Sequence, residues 1–596
     1  MTEALGGWKR THACGDLRAG DAGRTVTLMG WAHRRRDHGG LIFVDVRDRT
    51  GLTQCVFNPA DDAAAHARAE AVRSEFVLAI RGEVVQRPAG TENPRLPTGA
   101  VEVHVRELRV LNEARALPFP IDEEVEVDEL TRLQYRYLDL RRPSMYRNFA
   151  IRDQVYRSVR EYFHGHGFLE VETPFLIRTT PEGARDFLVP SRLNRGSFYA
   201  LAQSPQLFKQ LLMVAGFERY FQIVRCFRDE DLRKDRQPEF TQIDVETSFL
   251  DRDDVLALME GMVRATVRRV HGIELPDPIP RLTYAEAMDR FGSDKPDLRF
   301  GLELADLTDL FRGGEFQAFA QVVAGGGVVK GLAVPGAGGL SRKEADDLVA
   351  EAKSHGAKGL VWVKVTDQGL QSPVARFLEP IRATLLERLH AGPGDLLLLV
   401  GDARATVATV LGRLRVDLAQ RHGLVPSGQY AILWVVDFPA FEWNDEERRW
   451  QAMHHPFTAP RDEDLPRLES DPAAVLAKAY DLVLNGQEIG GGSIRIHQQA
   501  VQQKVFELLG IEKDEARSKF GFLLDALEFG APPMGGIAFG LDRMVAVLAG
   551  EESIREVIAF PKTQKGVDPL TDAPAPASPA QLRELGIAVV DLERKP

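Results

Sequence analysis

Cysteine is nearly absent: Cys14, Cys55 and Cys226 are the only three in 596 residues, and no two stand at a short metal-binding spacing. This excludes a disulfide framework and a cysteine-based zinc site, and it fits a reducing cytoplasm. No apolar run of about 18 residues occurs, so no membrane partner is expected. The opening MTEALGGWKRTHACGD lacks the apolar stretch of a secretory signal. No GxxxxGK(S/T) loop is present, which excludes a P-loop nucleotide site. An overall positive charge is also lacking: the net formal charge is −12, so the whole chain is not a general polyanion binder. The charge is uneven, however. Residues 1–110 carry 16 Lys+Arg against 14 Asp+Glu, a balance of +2 that leaves −14 for the remainder. So small an excess is compatible with chance, although a local basic face can still bind RNA through counterion release.

What is present is length and order. A chain of 596 residues exceeds what one core supports. Residues 22–110 alternate short apolar runs with turn signals, as in RTVTLMGWAHR and GAVEVHVRELRVL, with one helical stretch, DDAAAHARAEAVRSE. Five such strands and a helix suit an OB-fold β-barrel, a common oligonucleotide binder, over residues 1–112. The run Leu117-Pro118-Phe119-Pro120 and the acidic stretch after it read as a hinge over 113–140. Long helical patterns mixed with apolar strands then fill 141–299. Residues 300–422 contain the Gly-rich AGGGVVKG and GAGGLSRK and alternate helix and strand, which predicts an inserted α/β domain. The strand pattern AILWVVDF resumes the large domain over 423–565, and a Pro- and Ala-rich surface extension covers 566–596. The expected class is therefore multidomain α+β.

Three segments concentrate unusual chemistry. The first is GFLEVETP at 167–174, followed by Thr180-Pro181-Glu182-Gly183. The second is Phe227-Arg228-Asp229-Glu230, followed by Arg236-Gln237-Pro238-Glu239-Phe240 and Gln242-Ile243-Asp244. The third is GGIAFGLDR at 535–543. Alone, FRDE would be a solvated charged face. Together and in this order they resemble motifs 1, 2 and 3 of the class II aminoacyl-tRNA synthetases. QSPQLFKQ at 203–210, GGGSIRIH at 490–497 and the long insertion are similar to the bacterial aspartyl branch. The resemblance spans essentially the whole chain. It implies an antiparallel catalytic sheet flanked by helices, and a homodimer built through motif 1. The substrates it implies are ATP, L-aspartate and tRNA(Asp), with Mg²⁺ and no DNA.

The resemblance assigns roles residue by residue, and the chemistry agrees. Activation builds charge on the α-phosphate, so fixed cations must face it. Arg228 and Arg543 are the catalytic candidates, the first because a guanidinium grips phosphate oxygens in pairs. Arg543 opens a helix whose N-terminus adds partial positive charge; the alternative is a surface helix residue. Asp229, Glu230, Gln237, Glu488, Gly540, Leu541 and Asp542 complete the expected ATP site, with Gly536 and Gly540 admitting close backbone approach. Asp481 and Glu488 are the Mg²⁺ candidates, both set in an apolar context. For aspartate, Glu182, Gln206 and Asp244 would accept the ammonium. Lys209 and Arg495 would face the side-chain carboxylate, His454 would close over the substrate, and Arg228 also belongs to the expected aspartate site. Glu182 can equally be a helix-start acid after Pro181, and the neighbouring His455 reads as structural. Met534 stands where many members carry histidine.

In the barrel, Arg34 and Arg36 suit phosphates, Phe43 an unpaired base, and Gln54 and Glu102 base edges. Periodicity alone makes Phe43 a core strand residue; the resemblance makes it an anticodon stacker. His38 stands where enzymes restricted to aspartate tRNA often have leucine. With Gly90 it resembles the non-discriminating subtype, which also charges tRNA(Asn). Two alternatives stand beside this reading: an enzyme specific for tRNA(Asp), and an inactive tRNA-binding paralogue. The paralogue should lack Arg228, Glu488 or Arg543, and all three are present.

Overall fold

A computed structural model describes residues 2–122, 125–180 and 183–590. Glu182 and the end of the C-terminal extension from 591 lie outside the described residues. The chain forms two compact units, one of Met1–Ala150 with Arg555–Ala575, the other of Ile151–Ile554 with the stretch from Pro576 onward. Among the described residues no helix is long and apolar enough to cross a membrane.

In the first unit, five strands close a barrel: Thr25–His38, Leu41–Asp48, Gly51–Phe57, Val77–Gln86 and Val101–Asn112. The period of two decides which side chains fill it. Along Leu41–Asp48, Ile42, Val44 and Val46 point into the core, and Leu41, Phe43 and Asp45 point out. Phe43 is therefore not a core residue, and the periodicity reading of it is corrected. The helix Ala63–Ala69 is capped by Asp62, which accepts from the Ala65 amide.

The segment 113–140 is more structured than a hinge. It holds the short helices Glu129–Gln134 and Arg136–Asp139. The buried Arg136 guanidinium donates to the carbonyls of Arg555 (2.7 Å), Ile558 (3.0 Å) and Ala559 (3.0 Å). Arg132 binds Glu556 at 2.6 Å. The chain around 555–559 thus packs on this segment.

The second unit is built on eight strands in the order Arg281–Thr283, Ile432–Val436, Ala479–Leu484, Gln487–Ile494, Met534–Gly540, Glu239–Ser248, Arg219–Phe227 and Leu169–Glu170. The six central strands pair antiparallel, as the resemblance implies. The outermost pair at each edge is parallel, so the sheet is mixed. Ala479–Leu484 is buried at every position, yet it carries Asp481. An apolar strand covered on both faces thereby holds a carboxylate where it cannot drift.

The inserted segment forms its own five-stranded sheet, ordered Ala305–Asp306, Val328–Val334, Leu396–Asp402, Val361–Thr366 and Gly369–Gln371. Leu396–Val400 is fully buried because helices cover both faces of this sheet. Helix and strand do alternate here, but every strand pairing is antiparallel, which corrects the expected α/β arrangement.

Candidate functional site

The face of the eight-stranded sheet carries a polar cavity of about 580 Å³. Adjacent strands supply most of its wall. The Glu239–Ser248 strand presents Gln242 and Asp244; Gln487–Ile494 presents Glu488 and a floor of three glycines; Met534–Gly540 ends beside it. The helix Gln206–Val214 adds Gln206 and Lys209, and the loop 453–458 adds His454 and His455.

At one end four charges are buried together. Lys209 Nζ lies 2.7 Å from Asp244 Oδ1 and 3.2 Å from Glu246 Oε2. Arg495 donates to both oxygens of Glu246 (3.0 and 3.1 Å) and to Ser493 Oγ (2.7 Å). None of Lys209, Asp244, Glu246 and Arg495 is more than 5% exposed. Two cations balance two anions, which is what makes their burial tolerable. Burial pushes the Asp244 carboxyl above the ordinary range, against the pull of Lys209. Glu246 and Ser493 were missed in the sequence. Strand alternation offered the signal, since Gln242, Asp244 and Glu246 share one face. Gly536 belongs here too: a Cβ on it would lie 2.1 Å from Glu246 Oε2. It makes room for that carboxylate, which corrects the nucleotide role expected of it.

The other end is set by Arg228, Arg543 and two carboxylates. The Arg228 guanidinium lies 5.1 Å from the Phe240 ring centroid, and its Nε is solvent-shielded with no hydrogen-bond partner among the described residues. Arg543, in the first turn of helix Leu541–Ala549, donates to the Glu488 carbonyl (2.5 Å) and pairs with Asp235 (3.3 Å). Asp481 and Glu488 converge over Gly491: a Cβ there would lie 2.7 Å from Asp481 Oδ1 and 3.4 Å from Glu488 Oε1. Burial, then the nearby Asp481, raises the Glu488 carboxyl above its ordinary range. His454 Nε2 stands 3.7 Å from Asp481 Oδ1. Burial works against its charged form, but Asp481 and Glu488 outweigh this and raise its pKa. Glu230, Gln237 and Gly540 also line the cavity.

Three expected nucleotide residues are placed differently. Asp542 reaches the wall, but its oxygens are taken by Arg152 (2.6 Å) and the Thr241 amide (2.7 Å), so it ties the helix to the sheet. Asp229 is exposed, bridged through its backbone to Arg185, and off the cavity wall. Leu541 is fully buried. Met534 packs against Met213 and Tyr220 and does not line the cavity.

On the barrel, a separate polar row crosses the strands. Arg36 Nη2 donates to Asp45 (2.9 Å) and to Gln54 Oε1 (3.1 Å), and Gln54 Nε2 donates to Glu102 (2.8 Å). These bonds fix which way the Gln54 amide points. Phe43 faces Arg36 across the strand pair, and Arg34 lies exposed opposite Asp45. His38 is exposed at the end of its strand, and Gly90 sits exposed in a loop with φ +86°.

Residues 128–564 match the family described as "tRNA synthetases class II (D, K and N)", and residues 26–111 match "OB-fold nucleic acid binding domain". The chain belongs to the class II tRNA synthetases. It is 59% identical, over 99% of its length and 100% of theirs, to the "Aspartate--tRNA(Asp/Asn) ligase" of Geotalea uraniireducens. It is 57% identical to the protein of the same name from Moorella thermoacetica, over 98% of both chains. Among solved structures, asparaginyl-tRNA synthetase from Pyrococcus horikoshii complexed with asparaginyl-adenylate shares the fold at TM-score 0.59 and 19% identity, covering 93% of this chain and 98% of that one. Within this synthetase, motif 2 supplies Arg228 and the strand bearing Asp244 and Glu246. Motif 3 supplies Gly540 and Arg543.

Proposed function

We propose that this synthetase is an aspartate–tRNA ligase. It activates L-aspartate with ATP, releases pyrophosphate, and transfers the aspartyl group to the 3′ end of tRNA(Asp) and of tRNA(Asn). The carrying observation is the buried Lys209–Asp244–Glu246–Arg495 group in one cavity with Arg228, whose Nε has no hydrogen-bond partner among the described residues. The names of the full-length relatives support it.

The aspartate ammonium is received by Asp244 Oδ2 and by Glu182. The side-chain carboxylate sits against Lys209 and Arg495, and His454 closes over the substrate. An asparagine amide in that place would turn N–H donors toward the buried cations, a mismatch that discriminates by roughly 10⁴–10⁵. Arg228 grips the α-phosphate where the carboxylate oxygen attacks, and Arg543 holds the polyphosphate from the other side. Positioning and fixed charge suffice for this step, and no separate base is needed. Asp481 and Glu488 would hold Mg²⁺, because their carboxylates converge over Gly491 and two carboxylates suit an ion whose other ligands are phosphate oxygens. When bound, Mg²⁺ neutralises phosphate charge.

On the barrel, Phe43 stacks on an anticodon base, Gln54 and Glu102 read base edges, and Arg34 and Arg36 hold phosphates. His38 and Gly90 leave room for either anticodon. The enzyme acts as a homodimer: Leu169, Phe175, Leu176, Leu188, Leu193 and Phe198, around motif 1, are all exposed and suit a second copy. The tRNA substrates place it in the cytoplasm. Aspartate-dependent exchange of pyrophosphate into ATP tests the first step. Exchange with aspartate and not with asparagine is expected, and no exchange with either overturns the reading.

A further inference from the structure

Four cavity-lining residues hold a solvent-shielded polar atom with no hydrogen-bond partner among the described residues: Gln206 Nε2, Arg228 Nε, Asp244 Oδ2 and His455 Nε2. Shielded polar atoms are nearly always paired in folded proteins, so an unpaired set around a cavity outlines an absent ligand. Three of the four are already assigned to substrate. The acceptor among them, Asp244 Oδ2, suits an ammonium, and the donors suit carboxylate or phosphate oxygens. His455 has no assignment.

Its chemistry is fixed by its surroundings. The Phe457 amide donates to His455 Nδ1 (3.3 Å), which puts the proton of the neutral ring on Nε2. Burial, followed by the Arg495 and Lys209 charges, pushes the ring pKa down to about 3. His455 is therefore a neutral N–H donor throughout the physiological pH range. The cations that act on it are the two that face the aspartate side chain. The adjacent His454, beside Asp481, is driven the opposite way.

We propose that His455 is a further substrate-binding residue, donating its Nε2–H to the side-chain carboxylate of bound aspartate. This rests on the aspartate reading above. A neutral donor adds a hydrogen bond without disturbing the balanced charges of Lys209, Arg495, Asp244 and Glu246. The bond is charge-assisted with a carboxylate and weaker with an asparagine carbonyl. His455 then contributes to selectivity as well as to affinity. The competing role is purely structural, a ring stacked on Phe457 at 5.2 Å beneath the loop.

The experiment compares His455→Phe and His455→Gln in the full chain. Its probes are the non-hydrolysable sulfamate analogues of aspartyl- and asparaginyl-adenylate, binding is measured by calorimetry, and the KM for ATP is followed in parallel. The Phe variant keeps the stacking and removes the donor. It should weaken the aspartyl analogue by roughly 10- to 100-fold. The asparaginyl analogue should lose less, the KM for ATP should stay unchanged, and the loss should be equal at pH 6 and pH 8. The Gln variant restores an N–H near the same place and should recover most of the binding. Equal weakening of both analogues, or a Gln variant as poor as Phe, overturns the proposal. If the Phe variant does not fold, the ring N–H resonance of His455 in the unmodified protein decides. It must shift when the aspartyl analogue binds, and an unmoved resonance overturns the proposal. Failure of the unmodified protein to bind the aspartyl analogue at all would instead overturn the aspartate reading.

Discussion

The cavity and the outer face of the barrel use the same pairing, arginine with carboxylate, in two different media. In the cavity, Arg495 and Glu246 are 5% and 0% exposed and each has further partners. On the barrel, Arg36 is exposed and Asp45 half-buried. The same Coulomb attraction is several-fold stronger where water is excluded, and removing one buried partner leaves a charge that nothing solvates. The cavity is accordingly rigid and set before substrate arrives. The barrel row is open to solvent at Arg36, where it should exchange partners for nucleic acid and respond to salt. On the proposed function, small-molecule selectivity belongs to the first and polyanion affinity to the second.

Substitutions can break this contrast or sharpen it. The largest effect is expected at Arg228. Arg228→Ala should lower kcat for pyrophosphate exchange by about 10²–10³-fold with tRNA affinity unchanged. A parallel fall in tRNA affinity would erase the division between the two regions. Next, Arg495→Leu should abolish saturable aspartate activation. It should also cost roughly 3–5 kcal/mol of stability in a denaturant melt, because Glu246 keeps only Lys209. A normal aspartate KM would remove Arg495 from the pocket. On the barrel, Phe43→Ala should raise the tRNA KM by the roughly 1–3 kcal/mol of one stacked base and leave pyrophosphate exchange untouched. Salt should separate the regions more gently: raising ionic strength should weaken tRNA binding while the aspartate KM moves far less. The smallest effect is in pH. Against the cost of burial, the Asp481 and Glu488 carboxylates raise the His454 pKa, so aspartate affinity should decline as pH rises through its titration. His454→Asn should flatten that decline, and an unchanged slope would assign the titration to another group.

The order of motifs and the strand periods made the barrel, the catalytic sheet and most of the cavity wall legible in the sequence, because local patterns encode them. Residues that depend on which strands become neighbours were harder. Glu246 gains its role from Arg495, which is 249 positions away in the chain. Asp542 reads as a nucleotide ligand beside Arg543, yet Arg152, 390 positions away, claims it. The insertion shows the same limit. Alternating helix and strand predicts an α/β insertion, whereas the order and direction in which its strands join a sheet are tertiary properties. His455 was legible only as a residue type. Its unpaired nitrogen emerges once Phe457, Lys209 and Arg495 surround it.

The most direct test of the central claim is aminoacylation with radiolabelled aspartate on purified tRNA(Asp) and tRNA(Asn) transcripts, each shown to be competent with a known enzyme. Charging of both is the expected result. Charging of tRNA(Asp) alone would contradict the role given to His38 and Gly90, and charging of neither would contradict the assignment of this cavity to aspartate activation.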